Sequence, residues 1–341
     1  MEISSISERF RRFAEKECKG SSSLYEQLSS RIAGDDDLLR LASAGREGQP
    51  IPNLLLGAVH YLLLNEFEHE LKYYYASIVP NPRDAAAAFE PFKSFCLLYQ
   101  GELVQLLTTK LVQTNEVRRC AYLYPAFCLI HHLSNKPLAL IEIGTSAGLQ
   151  LFWDKYRYAY DNVEGYYGNQ QSPITLTTSL RGPNLPFLYS DSPPVASRIG
   201  IDLHVNRLHQ SEDRMWMKAL IWPEHRERMN HFEEAAGIFD NQAVRFIEGD
   251  ALACLDSAAV ATSEEQALCI FHTHVANQLS LADKHHLFEQ IRILGETREV
   301  YHLYNNMWDL DLHLDYYRDG RFQSMVLAET DGHARWLSWK R

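Results

Sequence analysis

The feature that most constrains the fold is a series of short apolar runs after Pro137 that alternate with helical patterns. Continuous apolar runs of this length are typical of parallel strands that are buried on both faces. Strands separated by helices indicate right-handed crossovers, so we predict a doubly wound α/β sheet. The predicted strands are residues 138–143, 199–203, 244–247, 268–271 and 300–303, and the clearest helices between them are residues 215–236 and 282–294.

Residues 1–135 follow a different pattern, because their apolar side chains recur at helical spacing almost throughout. We therefore predict an all-helical N-terminal domain at 1–135 and an α/β domain at 136–341. Two segments of the second domain depart from the alternation. Residues 156–190 favour short β-strands, which predicts an inserted β segment, and residues 322–339 surround an Asp-Gly turn, which predicts a terminal antiparallel hairpin.

Charge and cysteine content narrow the possible partners and the compartment. A formal net charge of −11 argues against non-specific binding to nucleic acid, which needs a basic face. The six cysteines include no C-x-x-C pair, which favours buried reduced thiols over a zinc or disulfide framework. The N-terminus lacks a signal-peptide pattern, and the longest apolar run, 54–64, is too short to span a membrane. We expect a cytoplasmic protein with no membrane partner.

The loop after the first predicted strand, GTSAG at 144–148, matches two kinds of site. As G-x-S-x-G it matches the nucleophile elbow of a serine hydrolase, with Ser146 as nucleophile and Asp250 and His333 in the right chain order for a triad. In that fold several strands precede the nucleophile, whereas here everything before 137 is predicted to be helical. Glu142 would also have no role in acyl transfer. A glycine-rich ligand loop is the favoured interpretation.

In a doubly wound sheet a ligand lies across the carboxyl ends of the strands, where the strand order reverses. Gly144 and Gly148 allow a tight turn and a close approach of the backbone to a ligand. Between them, Thr145 and Ser146 complete the predicted ligand loop, and Ser146 is small enough not to obstruct it.

The next two predicted strands also end in polar residues. The second strand ends in Asp202, a carboxylate that can accept hydrogen bonds from two ribose hydroxyls. The third is followed by Asp250 and Ala251, where Asp250 either contacts an adenine amino group or caps the helix that begins at Ala251. The pattern therefore predicts a nucleoside-binding edge.

The fourth predicted strand carries His272 and His274 to the same edge. Alternation along a strand predicts that both imidazoles point to one face, and one of them is the candidate general base. The alternatives are two histidines that are hydrogen-bonded beneath a loop, or a metal site helped by His302. No carboxylate or cysteine completes a metal site at a diagnostic spacing, so we predict no metal.

At these positions the chain resembles class I S-adenosylmethionine-dependent methyltransferases, whose loop pattern is E/D-x-G-x-G-x-G. The resemblance covers residues 137–341 and rests on Glu142 with its loop, on GID at 200–202 and on EGDA at 248–251. It implies a Rossmann-like sheet, S-adenosylmethionine as cofactor, and methyl transfer to an unidentified acceptor, of which a small molecule is favoured. Glu142 would then bind the ammonium group of the methionine moiety or order a water there.

Two positions depart from the methyltransferase pattern. Ser146 replaces the middle glycine, which leaves less room near a ligand. Asp202 follows Gly144 by 58 residues (202 − 144), against roughly 20 in a dinucleotide fingerprint, and the insertion must account for the difference.

Over nearly its whole length the chain also resembles a bacterial family known as domain of unknown function 2332. The residues that carry this resemblance are QTNEVRR at 113–119, IEIGTSAGL at 141–149, GIDL at 200–203 and ALIWPE at 219–224. It implies that Asn115 or Arg119 reaches the cofactor cleft from the helical domain. The family brings no established activity, so a non-catalytic protein that binds a nucleoside ligand or a partner on the same fold is the alternative function.

Overall fold

The computed structural model describes residues 2–113, 115–239 and 243–340, which contain eleven α-helices and eleven β-strands. The helices are α1 (Ile3–Phe13), α2 (Ser23–Ile32), α3 (Asp36–Ala42), α4 (Ile51–Leu64), α5 (Phe89–Leu98), α6 (Gln100–Thr109), α7 (Cys120–Ser134), α8 (Ser211–Ala219), α9 (Arg226–Phe239), α10 (Ala251–Val260) and α11 (Leu281–Thr297). The strands are β1 (Leu138–Ile143), β2 (Arg157–Tyr160), β3 (Tyr167–Gly168), β4 (Thr175–Arg181), β5 (Val195–Asp202), β6 (Arg245–Glu248), β7 (Ala267–His272), β8 (Val300–Tyr304), β9 (Leu312–Arg318), β10 (Arg321–Thr330) and β11 (Trp336–Trp339).

Contacts group the chain into two units, residues up to 114 with 209–230, and residues 115–208 with 231–341. The sequence placed the boundary at 135, so the grouping differs in assigning α7 to the sheet unit. The physical reason is that α7 is apolar almost all round and is buried there. Phe127 stacks on Trp153 at 4.6 Å between ring centroids and meets Phe271 edge-on, and the hydroxyl of Tyr160 donates to the carbonyl of Ala121.

The helical unit is built around α4, whose side chains are buried on nearly every face. Residues 209–230 complete its core: the indole N–H of Trp216 donates to the carbonyl of Leu111, and a Cβ at Gly57 would lie 3.0 Å from Leu220. His60 is fully buried, with Nδ1 2.9 Å from the carbonyl oxygen of Ala219. Trp222, predicted to be core, packs between aromatic rings of α1 and α2.

All eleven strands form one sheet in the order β3-β2-β4-β11-β10-β9-β8-β7-β1-β5-β6. Strands β6, β5, β1, β7 and β8 are mutually parallel, and their order along the sheet reverses between β1 and β7. The five predicted strands are confirmed. Every residue of β1, β7 and β8 is buried, as the continuous apolar runs required.

The predicted helix 215–236 is instead two helices, α8 and α9, because Pro223 stands between them and cannot continue a helix. The predicted helix at 282–294 is α11, capped by the Ser280 hydroxyl, which accepts the Asp283 N–H. The predicted β segment contains β2, β3 and β4, and β4 joins the sheet in parallel beside β11. The terminal hairpin is β10–β11. Strand β9, antiparallel to β8, was not predicted.

All six cysteines are free thiols, and five of them are buried. Burial raises the pKa of Cys96, Cys120 and Cys269 above the ordinary thiol value. No helix in the described residues is both long and apolar enough to cross a membrane.

Candidate functional site

The turn after β1 is held in place by the neighbouring strand. Gly144, Ser146 and Gly148 all have positive φ, at 70°, 52° and 79°. The N–H groups of Gly144 and Thr145 both donate to the carbonyl of Ile201, at 2.8 and 3.2 Å. A conformation with three left-handed residues favours glycine, which explains two of the three positions, and Ser146 adopts it at a steric cost.

Neighbouring side chains pack against both glycines. A Cβ built on Gly144 would lie 2.3 Å from a methyl group of Val275, and one on Gly148 would lie 2.9 Å from the ring of Phe246. The glycines are therefore required by local packing as well as by φ.

Asp202, the last residue of β5, closes the same turn. Its Oδ2 accepts the N–H of Ser146 at 2.7 Å, and its Oδ1 accepts the N–H of His204 at 3.0 Å. The hydroxyl of Ser146 accepts from the side-chain amide of Asn206 at 3.2 Å. Both oxygens of Asp202 therefore accept backbone N–H groups, one in the turn and one in the segment after β5.

Glu142 is a buried carboxyl beneath the turn, with 3% of its surface exposed. Its Oε2 accepts the hydroxyl of Thr145 at 2.7 Å. Burial is the main cause that raises the pKa of Glu142 to about 8, and the nearby charge of Asp202 also raises it. The hydrogen bond from Thr145 and the charge of Arg119 lower this pKa. Glu142 is therefore mostly protonated at neutral pH, in contrast to the carboxylate expected from the sequence.

Asp250 caps α10, since its Oδ1 accepts the N–H of Leu252 at 2.8 Å, and Ala251 is the first residue of that helix. Capping, one of the two predicted roles, is confirmed. The carboxylate is exposed. Of the residues nominated for a hydrolase triad, Asp250 caps α10, and the Nδ1 of His333 lies 3.4 Å from Oε2 of Glu116.

The two predicted histidines have different surroundings. Strand β7 ends at His272, and His274 has a φ of 57°, so the strand alternation that predicted a common face does not continue. His272 is buried, with Nε2 3.1 Å from Nε2 of His302, and it stacks on Tyr304. Burial lowers the pKa of His272 to about 3.

His274 lies close to the ionisable side chains of Arg119, His333 and Asp331, and of these only Arg119 was predicted to reach the cofactor cleft. The backbone N–H of His274 donates to Asn305, and its Nε2 is buried without a hydrogen-bond partner. Burial lowers the pKa of His274 to about 3, and the nearby charges of Arg119 and His333 lower it further. The imidazole is therefore neutral across the physiological pH range. Arg119 in turn donates through Nε to the carbonyl of Gly332 at 3.0 Å.

Asn115 connects this region to the turn, because its side-chain N–H donates to the carbonyl of Thr145 at 2.7 Å. The Oδ1 of Asn115 is buried without a partner. By contacts, Asn115 and Arg119 belong to the sheet unit, whereas the sequence expected them to act from the helical domain. Thr114, in the same QTNEVRR segment, lies outside the described residues.

Several polar residues near the turn were missed. Thr273 donates to Gln150 at 2.9 Å, and the amide of Asn305 donates to the hydroxyl of Tyr122 at 3.2 Å. Burial raises the pKa of Tyr122 to about 12. Asn305 directly follows β8, so the rule that selected Asp202 could have found it. No group of three His, Cys, Asp or Glu side chains that could hold a metal occurs within the residues that the structure describes.

These features define an α/β protein whose candidate ligand site lies at the carboxyl ends of its parallel strands. The chain belongs to the family described as "Uncharacterized protein conserved in bacteria (DUF2332)", which matches residues 7–339. This match confirms the family resemblance carried by the four sequence segments. No curated protein and no solved structure matches the chain.

Proposed function

We propose that this protein binds S-adenosylmethionine at the carboxyl ends of β1, β5 and β6, on a Rossmann-like sheet, and catalyses methyl transfer to a small-molecule acceptor. The observation that carries the proposal is the turn at 144–148. It follows the first strand where the strand order reverses, and Glu142 and Asp202 flank it. Open α/β sheets bind their ligands at such a reversal.

The residues around the turn match the groups of the cofactor. Asp202 supplies acceptors for ribose hydroxyls, and the exposed carboxylate of Asp250 supplies one for an adenine amino group. Bound S-adenosylmethionine supplies a methyl group that its sulfonium has already activated. The chain needs to bind the two substrates, align them and exclude water. Val275 must move from Gly144 for the backbone of the turn to be reached.

The protonation state of Glu142 predicts that cofactor binding releases a proton. A cationic ammonium beside this carboxyl favours its ionised form, and the pKa of the free protein is about 8. Binding therefore releases close to one proton at pH 7. Calorimetry in buffers of different ionisation enthalpy measures that number, and the Glu142→Gln variant should release none. Binding with no proton release in the wild type would show that Glu142 does not receive the ammonium.

Two buried acceptors without partners, Asn115 Oδ1 and His274 Nε2, support the choice of acceptor. The amide oxygen of Asn115 accepts a hydrogen bond, and so does Nε2 of His274 in the neutral tautomer that carries its proton on Nδ1, so a small hydroxyl or amine compound is favoured. His274, neutral and weakly basic, orients such a group through Nε2. When the oxygen or nitrogen of the acceptor takes the methyl group from the sulfonium, S-adenosylhomocysteine is the leaving group and the displaced proton passes to solvent. The enclosed pairing of His272 with His302 supports His274 over His272 as the residue that touches the acceptor.

Turnover is tested by incubating the protein with S-adenosylmethionine and fractions of small metabolites, and by measuring S-adenosylhomocysteine by mass spectrometry. We expect a fraction that stimulates its formation, and a loss of at least about tenfold in kcat for His274→Ala, because the variant no longer orients the acceptor. A matched control is His313→Ala, because His313 is held by Asp309 on the β8–β9 connection. Unchanged turnover in His274→Ala would remove His274 from the reaction.

The alternative is a protein that binds the nucleoside ligand without methyl transfer. It is favoured by the capping role of Asp250 and by the enclosure of His272, which leave few residues for chemistry. Tight binding with no S-adenosylhomocysteine formed from any fraction would support it. Labelling of Ser146 by a fluorophosphonate would instead support a serine hydrolase, for which the positive φ of Ser146 is the one favourable observation.

A further inference from the structure

A cavity of about 250 Å³ lies between α11 and the strands β8, β9 and β10, among residues that the proposed function does not use. Two buried polar side chains line it, His302 on β8 and Asp315 on β9. The two residues stand opposite each other in the register of the antiparallel strands. The aromatic rings of Phe288, Tyr317 and Phe322 also line the cavity. The cavity therefore combines a buried carboxylate with aromatic surfaces.

Both polar groups have an atom without a partner. Asp315 is 5% exposed; its Oδ2 accepts the hydroxyl of Tyr304 at 3.0 Å, and its Oδ1 is buried with no hydrogen bond. His302 is fully buried, and its Nε2 lies 3.1 Å from Nε2 of His272. Its Nδ1 has no partner, and it is an acceptor in the tautomer whose Nε2–H donates to His272. A buried acceptor that stays unpaired is destabilising, so the binding of a hydrogen-bond donor here is favoured.

The charge of Asp315 is not balanced by the one arginine that lines the cavity. Arg292 donates through Nε and Nη2 to Glu289, at 2.8 Å each, and through Nη1 to Glu296. Asp315 forms no ion pair with any cation in the described part of the chain. The lining is therefore left with an excess of negative charge that a cation complements.

The chemistry of the lining favours an organic cation over a metal ion. Among residues 2–113, 115–239 and 243–340 no three metal-ligating side chains come together, and two acceptors are too few for a divalent ion. Aromatic faces, in contrast, attract ammonium groups through the negative charge density of the ring. Tyr317 and Phe322 lie 4.9 Å apart between centroids, and Phe322 is half exposed at the rim.

We propose that this cavity binds a small organic ammonium, a primary or secondary amine in its protonated form, which donates N–H groups to Asp315 Oδ1 and His302 Nδ1. Its carbon groups contact Phe288, Tyr317 and Phe322. The site is independent of the proposed methyl-transfer site, since Asp315 and Phe322 take no part in the turn after β1.

Saturation-transfer NMR with n-butylammonium and 2-phenylethylammonium tests the proposal, with n-butanol, 2-phenylethanol and tetramethylammonium as controls. We expect the two primary ammonium ions to bind at millimolar concentration or below, and each control to bind at least about tenfold more weakly, because no control combines a positive charge with an N–H donor. Asp315→Asn should weaken ammonium binding by a similar factor. Equal binding of butylammonium and butanol, or of butylammonium and tetramethylammonium, overturns the proposal.

A second variant covers the case in which Asp315→Asn fails to fold. Phe322 is 53% exposed, so Phe322→Ala should fold normally and weaken ammonium binding about three- to tenfold through loss of one ring. Val326→Ala, another partly exposed apolar residue of β10 that does not line the cavity, is the matched control and should bind as the wild type does. Wild-type affinity in Phe322→Ala would contradict the proposal, as would wild-type affinity in a folded Asp315→Asn.

Discussion

The pKa of Glu142 gives a stability prediction that can be worked out in sign and size. A glutamate has an ordinary pKa of 4.5, and burial raises that of Glu142 to about 8 in the folded protein. Below pH 4.5 both the folded and the unfolded chain carry the proton, so Glu142 adds no pH dependence. Between pH 4.5 and 8 the folded chain keeps a proton that the unfolded chain releases, so the free energy of unfolding falls as the pH rises.

The size of this effect follows from the two pKa values. Each pH unit in the window costs about 1.4 kcal/mol, which gives about 3 kcal/mol at pH 7 and at most about 5 kcal/mol above pH 8, relative to pH 4. Glu142→Gln imitates the protonated carboxyl, because its Oε1 can still accept the Thr145 hydroxyl. The variant should therefore match the wild type near pH 4.5 and become progressively more stable than it up to pH 8.

The assay is urea unfolding of both proteins at half-unit intervals from pH 4.5 to 8.5. The difference between the two proteins isolates Glu142, because every other titrating group is common to both. A difference that changes by less than about 0.5 kcal/mol over the whole range would refute the reasoning, since Glu142 would then be ionised in the fold at neutral pH.

Three further substitutions have defined outcomes. Gly144→Ala should lower the free energy of unfolding, measured in urea, by about 2 kcal/mol or more, because the new Cβ would stand at a φ of 70° and 2.3 Å from Val275. Gly101→Ala, with open space around it, is the control. Equal free energies of unfolding for the two variants would contradict the packing account. Arg198→Leu should cost about 2 kcal/mol or more, because it removes the guanidinium that lies 2.7 Å from both oxygens of the buried Asp154 and leaves only the Lys155 ammonium, 3.1 Å from Oδ2; a loss below about 1 kcal/mol would show that the Arg198 pair is not needed. His272→Phe should reduce the stability lost between pH 6.5 and 4.5 by about 2 kcal/mol, because His272, with a folded pKa of about 3 against 6.5, takes up a proton mainly on unfolding; an unchanged loss by urea titration at the two pH values would argue against a buried neutral imidazole.

The parallel strands could be predicted because a strand that is buried on both faces is a continuous run of apolar residues. Strand β1 is apolar except for Glu142, and all six of its residues are buried. Strand β9 has a mixed pattern, with His313 and Asp315 among its residues, because it lies at the transition to the antiparallel part of the sheet. That composition does not distinguish it from a loop.

The candidate site was predictable in its location and less so in its contacts. Residues that follow parallel strands meet at one edge, which selected Asp202 and His274. His274 has a positive φ, and Val275 packs on Gly144. Neither a single φ angle nor a tertiary contact produces a periodic pattern in the sequence, so neither could be predicted. Arg119 and Gly332 lie 213 positions apart, so sequence alone offers no reason to join them.

Calorimetric titration with S-adenosylmethionine and S-adenosylhomocysteine tests the central claim most directly. The wild type and the control Asp256→Asn, which changes an exposed residue of α10, should bind at micromolar concentration. Asp202→Asn should bind at least about tenfold more weakly, because it removes the charged acceptor for the ribose hydroxyls. Absence of binding in a folded wild type, or equal binding in Asp202→Asn, would contradict the assignment of the turn at 144–148 as a cofactor site.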